Sequence, residues 1–522
     1  MTISPSSLAA GNLVGIENQK FAVTASVIPQ KNVIIGTYDE ATFVGIVPNV
    51  PIRVFSAEDV GGKTGYGFML HRLARAMFRA GSVETWIIPQ EEGGSDPDQA
   101  TGTIDFTASV GVLAGTLSLY IAGDRVAVNI ADADTPTEIG DAVEAAVNAL
   151  EYLPVTALNA AGIVTFTSKS GGVWGNFISI EINLNYGEAL PTGVAAVITD
   201  MTLGAGIPDI QDALDAMGTG DAQNDKFFTN VIHGYGADTA TLNALSTYNG
   251  TGNTLIGNYK KEIHRPFRSL IGDTTPLTAG LTAALAFAAN RRLDRTNGKL
   301  CAPGSPNHPQ EIAAQALGIM AVINSTRAEE GYIDKVLSEI LPGAMADRWT
   351  NDYDNRDQAV QGGVSTTFVK NGVFTLQNII TFYRPTDVAP DSNGYRAMRN
   401  ISIIQNIMYN IWLLFEQVKW KGITIVADTA KVADVDSRKK ARDVGDVIDD
   451  LLAYADECAA HAWLYSAVYT KSQLKQGDKV VLRAGLTGFD ITFPVILSGE
   501  GGIYNTLITF DTSIAILLLG GE

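Results

Sequence analysis

Between residues 97 and 206 the chain carries twelve acidic residues and only two basic ones, Arg125 and Lys169, and on both sides of that stretch the same α/β rhythm is found. A chain that changes character and then resumes reads as one α/β domain interrupted by another. Before the break, NVIIG (32–36), PIRVF (51–55) and VETWIIP (83–89) have strand character. YGFMLHRLARAMFRAG (66–81) has helical character, with Phe68, Leu70, Leu73, Ala74, Met77 and Phe78 towards one face. EEGGSDPDQATG (91–102) is a linker by composition. Inside the acidic stretch, TLSLYIAG, DRVAVNI, GIVTFTS and NFISIEINL alternate at period two around one helical segment, TEIGDAVEAAVNAL (137–150). That pattern predicts a small β-rich inserted domain. After GAGIPD (204–209) the α/β pattern returns, with DKFFTNVIHG and GKLCAPG as strands and residues 277–293 and PQEIAAQALGIMAVINS as helices.

A third region starts near residue 348. GVSTTFVKNGVFTLQNIITFYRP (363–385) holds two β-runs around Lys370, Asn371 and Gly372, where Asn-Gly supplies the positive φ of a tight hairpin. A long amphipathic helix follows, with Ile404, Met408, Ile411, Phe415 and Val418 spaced four and three apart. A second helix is predicted from about residue 437 to 464, and the chain ends in strands at 489–497 and 505–519. The organisation expected is an arm (1–21), an α/β domain (22–96 with 207–347), the inserted β-rich acidic domain (97–206), a C-terminal α+β domain (348–503) and a terminal strand (504–522).

The net charge is −19, from 37 Lys and Arg against 56 Asp and Glu. A nucleic-acid backbone or an anionic membrane is therefore not the expected partner. A membrane helix needs roughly 20 apolar residues, and the best candidate, 401–415, is broken by Gln405, Asn406 and Asn410. The first charged residue is Glu17, which leaves no basic signal-peptide region. Two cysteines, Cys301 and Cys458, cannot form a disulfide framework and are expected to be buried. Synthesis in a reducing cytoplasm follows as the expectation.

Enzymatic signatures are missing. Gly61 to Thr64 spell GGKT, but a phosphate loop needs glycine where Ala57 stands. Five Gly-x-Gly pairs lack the glycine that completes a dinucleotide fingerprint, and no serine is flanked as in a nucleophile elbow. His71, His233, His264, His308 and His461 include no metal-ligand spacing. Asp352, Asp354 and Asp357 resemble half a calcium loop, but Arg356 takes the next ligand position. No cofactor and no metal are expected, and the acids there are taken as a solvated loop.

The order of segments resembles the tail sheath proteins of contractile phage tails, in particular the Mu-like group. The residues that carry the resemblance are AVTASVIPQKNVIIG (22–36), VPIRVFSAEDVGGKTGYGFMLHRLARA (50–76), ETWIIPQ (84–90), LYIAGDRVAVNIADADTPTEIGDAVEAAVNA (119–149), GNFISIEINLNYGEALPTGV (175–194), GAGIPDI (204–210) and GVSTTFVKNGVFTLQNIITFY (363–383). The resemblance implies a non-enzymatic structural subunit. Copies would stack as hexameric rings into a helical homo-oligomer around the tail tube protein, with a baseplate and a tail terminator at its ends. The array would exchange terminal strands between subunits and contract to drive the tube through an envelope, as part of a virion tail. The alternative is an enzyme with an acidic accessory β-domain, such as a carbohydrate-active hydrolase.

Three expectations concern assembly. The inserted domain, at −10, projects into solvent. Arg438, Lys439, Lys440 and Arg442 form the densest basic cluster, read as the start of a helix where cations oppose the macrodipole, and are candidates for contact with the tube. Bland pairing of Arg442 with Asp446 is the competing reading. In the terminal strand, Ile508, Phe510 and Ile514 share one face, and 514–519 is apolar without a break. Ile508, Phe510, Ile514, Ile516 and Leu518 are therefore expected to be completed by another subunit, because an exposed edge of this kind aggregates.

Overall fold

Strands without polar alternation belong between two covered faces, and the computed structural model of the chain puts them there; it describes residues 26–93, 98–217, 227–250, 266–275, 279–384 and 394–501. The first segment holds β1 (Lys31–Thr37), β2 (Ile52–Val54), α1 (Ala57–Thr64), α2 (Met69–Arg79) and β3 (Glu84–Gln90). Next come β4 (Thr101–Asp105), β5 (Gly115–Ile121), β6 (Asp124–Ile130), α3 (Pro136–Asn148), β7 (Val155–Ala160), β8 (Ile163–Ser168), β9 (Ile180–Ile182), β10 (Val197–Thr202) and α4 (Ile210–Ala216). The chain goes on through β11 (Asn230–His233), α5 (Thr239–Asn249), β12 (Arg268–Gly272), α6 (Gly280–Ala289), β13 (Asn297–Cys301), α7 (Pro309–Asn324), α8 (Tyr353–Gln361), β14 (Ser365–Lys370) and β15 (Val373–Leu376). The last part contains α9 (Met398–Glu416), β16 (Thr424–Ile425), α10 (Val435–Lys440), β17 (Ala441–Arg442), α11 (Val444–Ala460), α12 (Ala467–Leu474), β18 (Val480–Leu482) and β19 (Phe489–Ile491).

The largest sheet has the order β15-β14-β13-β12-β11-β1-β3-β2. Its pairs from β14 through β3 are parallel, and β15 and β2 close it antiparallel. The acidic stretch forms two other, antiparallel sheets, β10-β4-β8-β7 and β6-β5-β9, with α3 packed on β6 and β7. Thr135 and Glu138 build a capping box at the start of α3, behind Pro136 in the first turn. One core of buried residues runs through the large sheet and the two smaller ones. A second gathers Ile403, Ile407 and Leu414 of α9 with Val447, Leu451 and Tyr454 of α11. The fold is a mixed α/β chain with several sheets, and among its described residues no helix is long and apolar enough to cross a membrane.

The β14–β15 hairpin turns on Asn371 and Gly372, whose φ values of 52° and 79° are those of a type I′ turn. It lies in the large sheet, with Ser365 opposite Leu300 of β13. The helix foreseen over 437–464 is two, because Asp443 forms a new capping box with Asp446 and starts α11. α9 is packed on more sides than its stripe shows: Ile411 and Phe415 lie against the second core, and the polar face beside them is buried more deeply. Ile404, Met408, Ile411 and Phe415 are only half-buried and Val418 is exposed, whereas Ser402, Gln405, Asn406 and Asn410 are buried. The reason is that this polar face meets backbone. Gln405 Nε2 donates to Thr229 O at 3.2 Å and to Pro266 O at 2.7 Å, and such bonds offset burial of the amides.

Candidate assembly site

Open α/β sheets take ligands beyond the carboxyl ends of their strands, where the strand order reverses. Here that point lies between β1 and β11. Met69, the first residue of α2, fills it: Thr37 Oγ1 is 3.9 Å from its Sδ, and a Cβ on Gly234 would come within 2.0 Å of the same sulfur. Ser170 Oγ, from the acidic stretch, accepts from Met69 N at 3.0 Å. The GGKT tetrapeptide lies inside α1, whereas a phosphate loop has to precede its helix. Asp352 caps α8 by accepting from Asn355 N, so Asp354 and Asp357 sit on a helix and not on the solvated loop expected.

The buried histidines serve the packing. His71 Nδ1 accepts from Gly67 N at 2.9 Å, and burial followed by the nearby Arg72 pushes its pKa down to about 3. His308 caps α7, with Nδ1 accepting from Gln310 N, Nε2 3.1 Å from Trp174 O and the ring stacked 3.6 Å from the Trp174 ring. Burial lowers its pKa to about 3, and that of His233 to about 4. His264 lies outside the described residues. Among the described residues no three His, Cys, Asp or Glu side chains are grouped to hold a metal ion. Cys301 and Cys458 are both buried.

The acidic stretch is attached to the large sheet through a buried arginine. Arg72 of α2 grips Glu311 of α7 with two bonds, Nε to Oε1 at 2.7 Å and Nη2 to Oε2 at 2.9 Å. Its Nη1 reaches Asp124, at the turn into β6, and Tyr152 O. Arg75 adds bonds of 3.0 and 3.2 Å to Asp124. Burial works against the charge of Asp124, but Arg72 and Arg75 outweigh it and hold the carboxyl below its usual range. Beside this cluster, Asn307 Nδ2 donates to Ala122 O and Ser179 Oγ to Pro306 O.

The basic cluster is where the sequence puts it, but not in the setting inferred. Arg438, Lys439 and Lys440 occupy the last turn of α10, the end at which cations complement the macrodipole. The unfavourable placement that motivated a tube contact is absent. All three residues are exposed, in a run from 433 to 440 that is exposed throughout. Lys439 pairs with Asp436 at 2.7 Å, Lys440 Nζ donates to Lys421 O, and Arg438 Nε donates to Val432 O. Arg442 does not pair with Asp446; it donates to Lys439 O and Ala441 O and lies over the Trp420 ring.

No protein-family model matches the chain. A curated relative, the Mu-like prophage FluMu tail sheath protein of Haemophilus influenzae, is 26% identical over 363 residues, which cover 69% of this chain and 70% of the relative. The chain is similar to a Mu-like tail sheath protein. The crystal structure of a sheath tail protein from Desulfitobacterium hafniense aligns over 87% of the chain and 91% of its own length, with a TM-score of 0.41 and 10% identity. The helical sheath of the anti-feeding prophage in its contracted state aligns over 97% and 99%, with a TM-score of 0.43 and 8% identity.

The terminal-strand residues Ile508, Phe510, Ile514, Ile516 and Leu518 and the arm at 1–21 lie outside the described residues. Two sets of residues were missed from the sequence. One is the Arg72–Asp124–Glu311 cluster, whose available signal was the spacing of Arg72, Arg75 and Arg79 along one helix ahead of an acidic stretch. The other is the buried asparagine pair of α9, visible only as an interruption of an apolar run.

Proposed function

We propose that the chain is a structural subunit of a contractile tail sheath, which polymerises as stacked hexameric rings around a tail tube and contracts to drive the tube through a host envelope. The observation that carries this reading is the 363-residue similarity to a tail sheath protein. The sheet's ligand crevice, filled by Met69, supports it against the hydrolase alternative. Self, tube, baseplate and terminator are the partners of this reading. The α/β domain is interrupted by the acidic one, and the strand 506–519 is completed by a neighbour. Arg438, Lys439 and Lys440 stay candidates for the tube-facing contact on charge and exposure, and the half-buried Arg442 on charge alone.

The acidic domain faces outward in this reading. Excising it is a poor test, because it covers α2 and would strand Arg72. A small tag at Gly187, where a side chain meets nothing within 4 Å and Tyr186 is exposed, leaves that contact intact. Electron microscopy of the purified chain should show hollow tubes that carry the tag on their outer surface. Truncation after residue 502 should leave a folded protein that does not polymerise. A wild-type chain that stays monomeric under every assembly condition refutes the sheath reading, and tubes formed by the truncated chain refute the role of the strand.

A further inference from the structure

The segment that leads into β1 is held by side chains of a helix. Asn410 makes with Ser26 both bonds that a neighbouring strand would make: its Oδ1 accepts from Ser26 N at 2.8 Å, and its Nδ2 donates to Ser26 O at 2.7 Å. One turn back on α9, Asn406 Oδ1 accepts from Ile28 N at 2.8 Å. Each carboxamide is also fixed from its own helix, Asn406 Nδ2 to Ser402 O at 2.7 Å and Asn410 Nδ2 to Asn406 O at 2.8 Å. Four residues of helix rise about 6 Å and two residues of strand about 6.6 Å, so every fourth position of α9 meets every second residue of the extended segment.

The two asparagines bond only main-chain atoms of residues 26 and 28, and the Ile28 side chain is buried besides. The Ser26 side chain is exposed, and Val27 between them packs on the second core. Asparagine is a poor helix former, and two of them on a buried helix face are explained by what they hold. The same face continues into the sheet. Ser402 Oγ and Tyr332 OH accept from Arg268, whose Nε donates to Asn230 Oδ1 at 2.7 Å, and Asn230 Nδ2 donates to Asn32 Oδ1 at 2.8 Å. Asn32, Asn230 and Arg268 stand in register on β1, β11 and β12. A pull on the chain ahead of residue 26 is thus shared between α9 and three strands.

We infer that Asn406 and Asn410 form a backbone clamp that fixes the position and direction of the chain at residues 26–28, ahead of β1. The clamp itself rests on the geometry. Its purpose, anchoring an arm that links subunits under tension, rests on the proposed sheath function.

The test compares Ser26→Pro, which deletes the recognised N–H, with Ser26→Ala, which keeps it; neither touches the core. In the unassembled full chain, amide exchange at Val27 and Ile28 should speed up at least tenfold in Ser26→Pro and stay at the wild-type rate in Ser26→Ala. Asn410→Leu should release the Ser26 and Ile28 amides to the same degree and leave α11 protected. Equal exchange in the two Ser26 variants, or an Ser26 amide still protected in Asn410→Leu, overturns the clamp. If Asn410→Leu does not fold, the Ser26 pair decides. Polymerisation is scored separately: tubes from Ser26→Ala but not from Ser26→Pro support the anchoring purpose, and equal tubes from both overturn it. A wild-type chain without tubes counts against the sheath reading and leaves the exchange result standing.

Discussion

Arg72→Met should be among the most damaging single changes in the molecule. The Arg72 side chain is 1% exposed and that of Glu311 is 3% exposed, so the substitution leaves Glu311 buried without its cation, while Asp124 keeps Arg75. Removing one partner of a buried ion pair costs about 3–5 kcal/mol, whereas replacing both by apolar groups of similar volume is often close to neutral. Arg72→Met/Glu311→Leu should therefore recover most of what Arg72→Met loses. The single variant also has a pH signature. Burial already raises the Glu311 pKa, and without Arg72 the carboxyl rises further above its unfolded value. An acid whose folded pKa is raised is favoured by protonation, so the deficit of Arg72→Met relative to wild type should shrink as pH falls from 7 towards 5. Urea midpoints of the unassembled protein at fixed m measure all three effects. A loss under about 1 kcal/mol at pH 7, or a double variant no more stable than the single one, refutes the reasoning.

Two further outcomes follow from particular side chains. His71, His308 and His233 are held neutral, with pKa values near 3, 3 and 4, so the unfolded chain binds protons that the folded chain refuses. Stability should then fall as pH drops below about 6.5, by up to about 1.4 kcal/mol per pH unit for each histidine, and His308→Asn should flatten the slope of urea midpoint against pH; an unchanged slope contradicts the assignment. The outer edge of β7 is closed by α3: Asn148 bonds both Ala157 N and Ala157 O at 2.9 and 2.8 Å, and Glu144 accepts from Asn159 N. Asn148→Leu should open that edge to strand pairing and produce concentration-dependent aggregates by light scattering, and a variant as monodisperse as wild type counts against the sealing role.

What could be read in the sequence was what depends on neighbours along the chain. The strands β1, β3, β11 and β13 of the large sheet, the Asn371–Gly372 turn and the helices α2, α3 and α7 all show in local periodicity or turn chemistry, whereas the central strand β12 was not foreseen. What failed depended on a partner elsewhere. The visible stripe of α9 is Ile404, Met408, Ile411 and Phe415, of which Ile411 and Phe415 do pack on the second core; the burial of the polar face beside it is what hydrophobicity alone does not show. Asn406 and Asn410 looked like interruptions because a carboxamide in isolation favours water, and only the main chain at Ser26 and Ile28 makes its burial sound. The helix position expected for the basic cluster failed for a smaller reason with a larger effect. Asp443 and Asp446 form a capping box from two aspartates, a weaker signature than Ser or Thr followed by Glu, so one helix was drawn across the break at 441–443. That placed Arg438, Lys439 and Lys440 at the wrong pole of a dipole and created an electrostatic strain that the molecule does not have. A functional argument drawn from unfavourable charge placement is therefore only as sound as the helix boundary beneath it, and the docking of Asp124 onto Arg72 and Arg75 shows the safer signal: opposite charges on two segments whose contact can be checked.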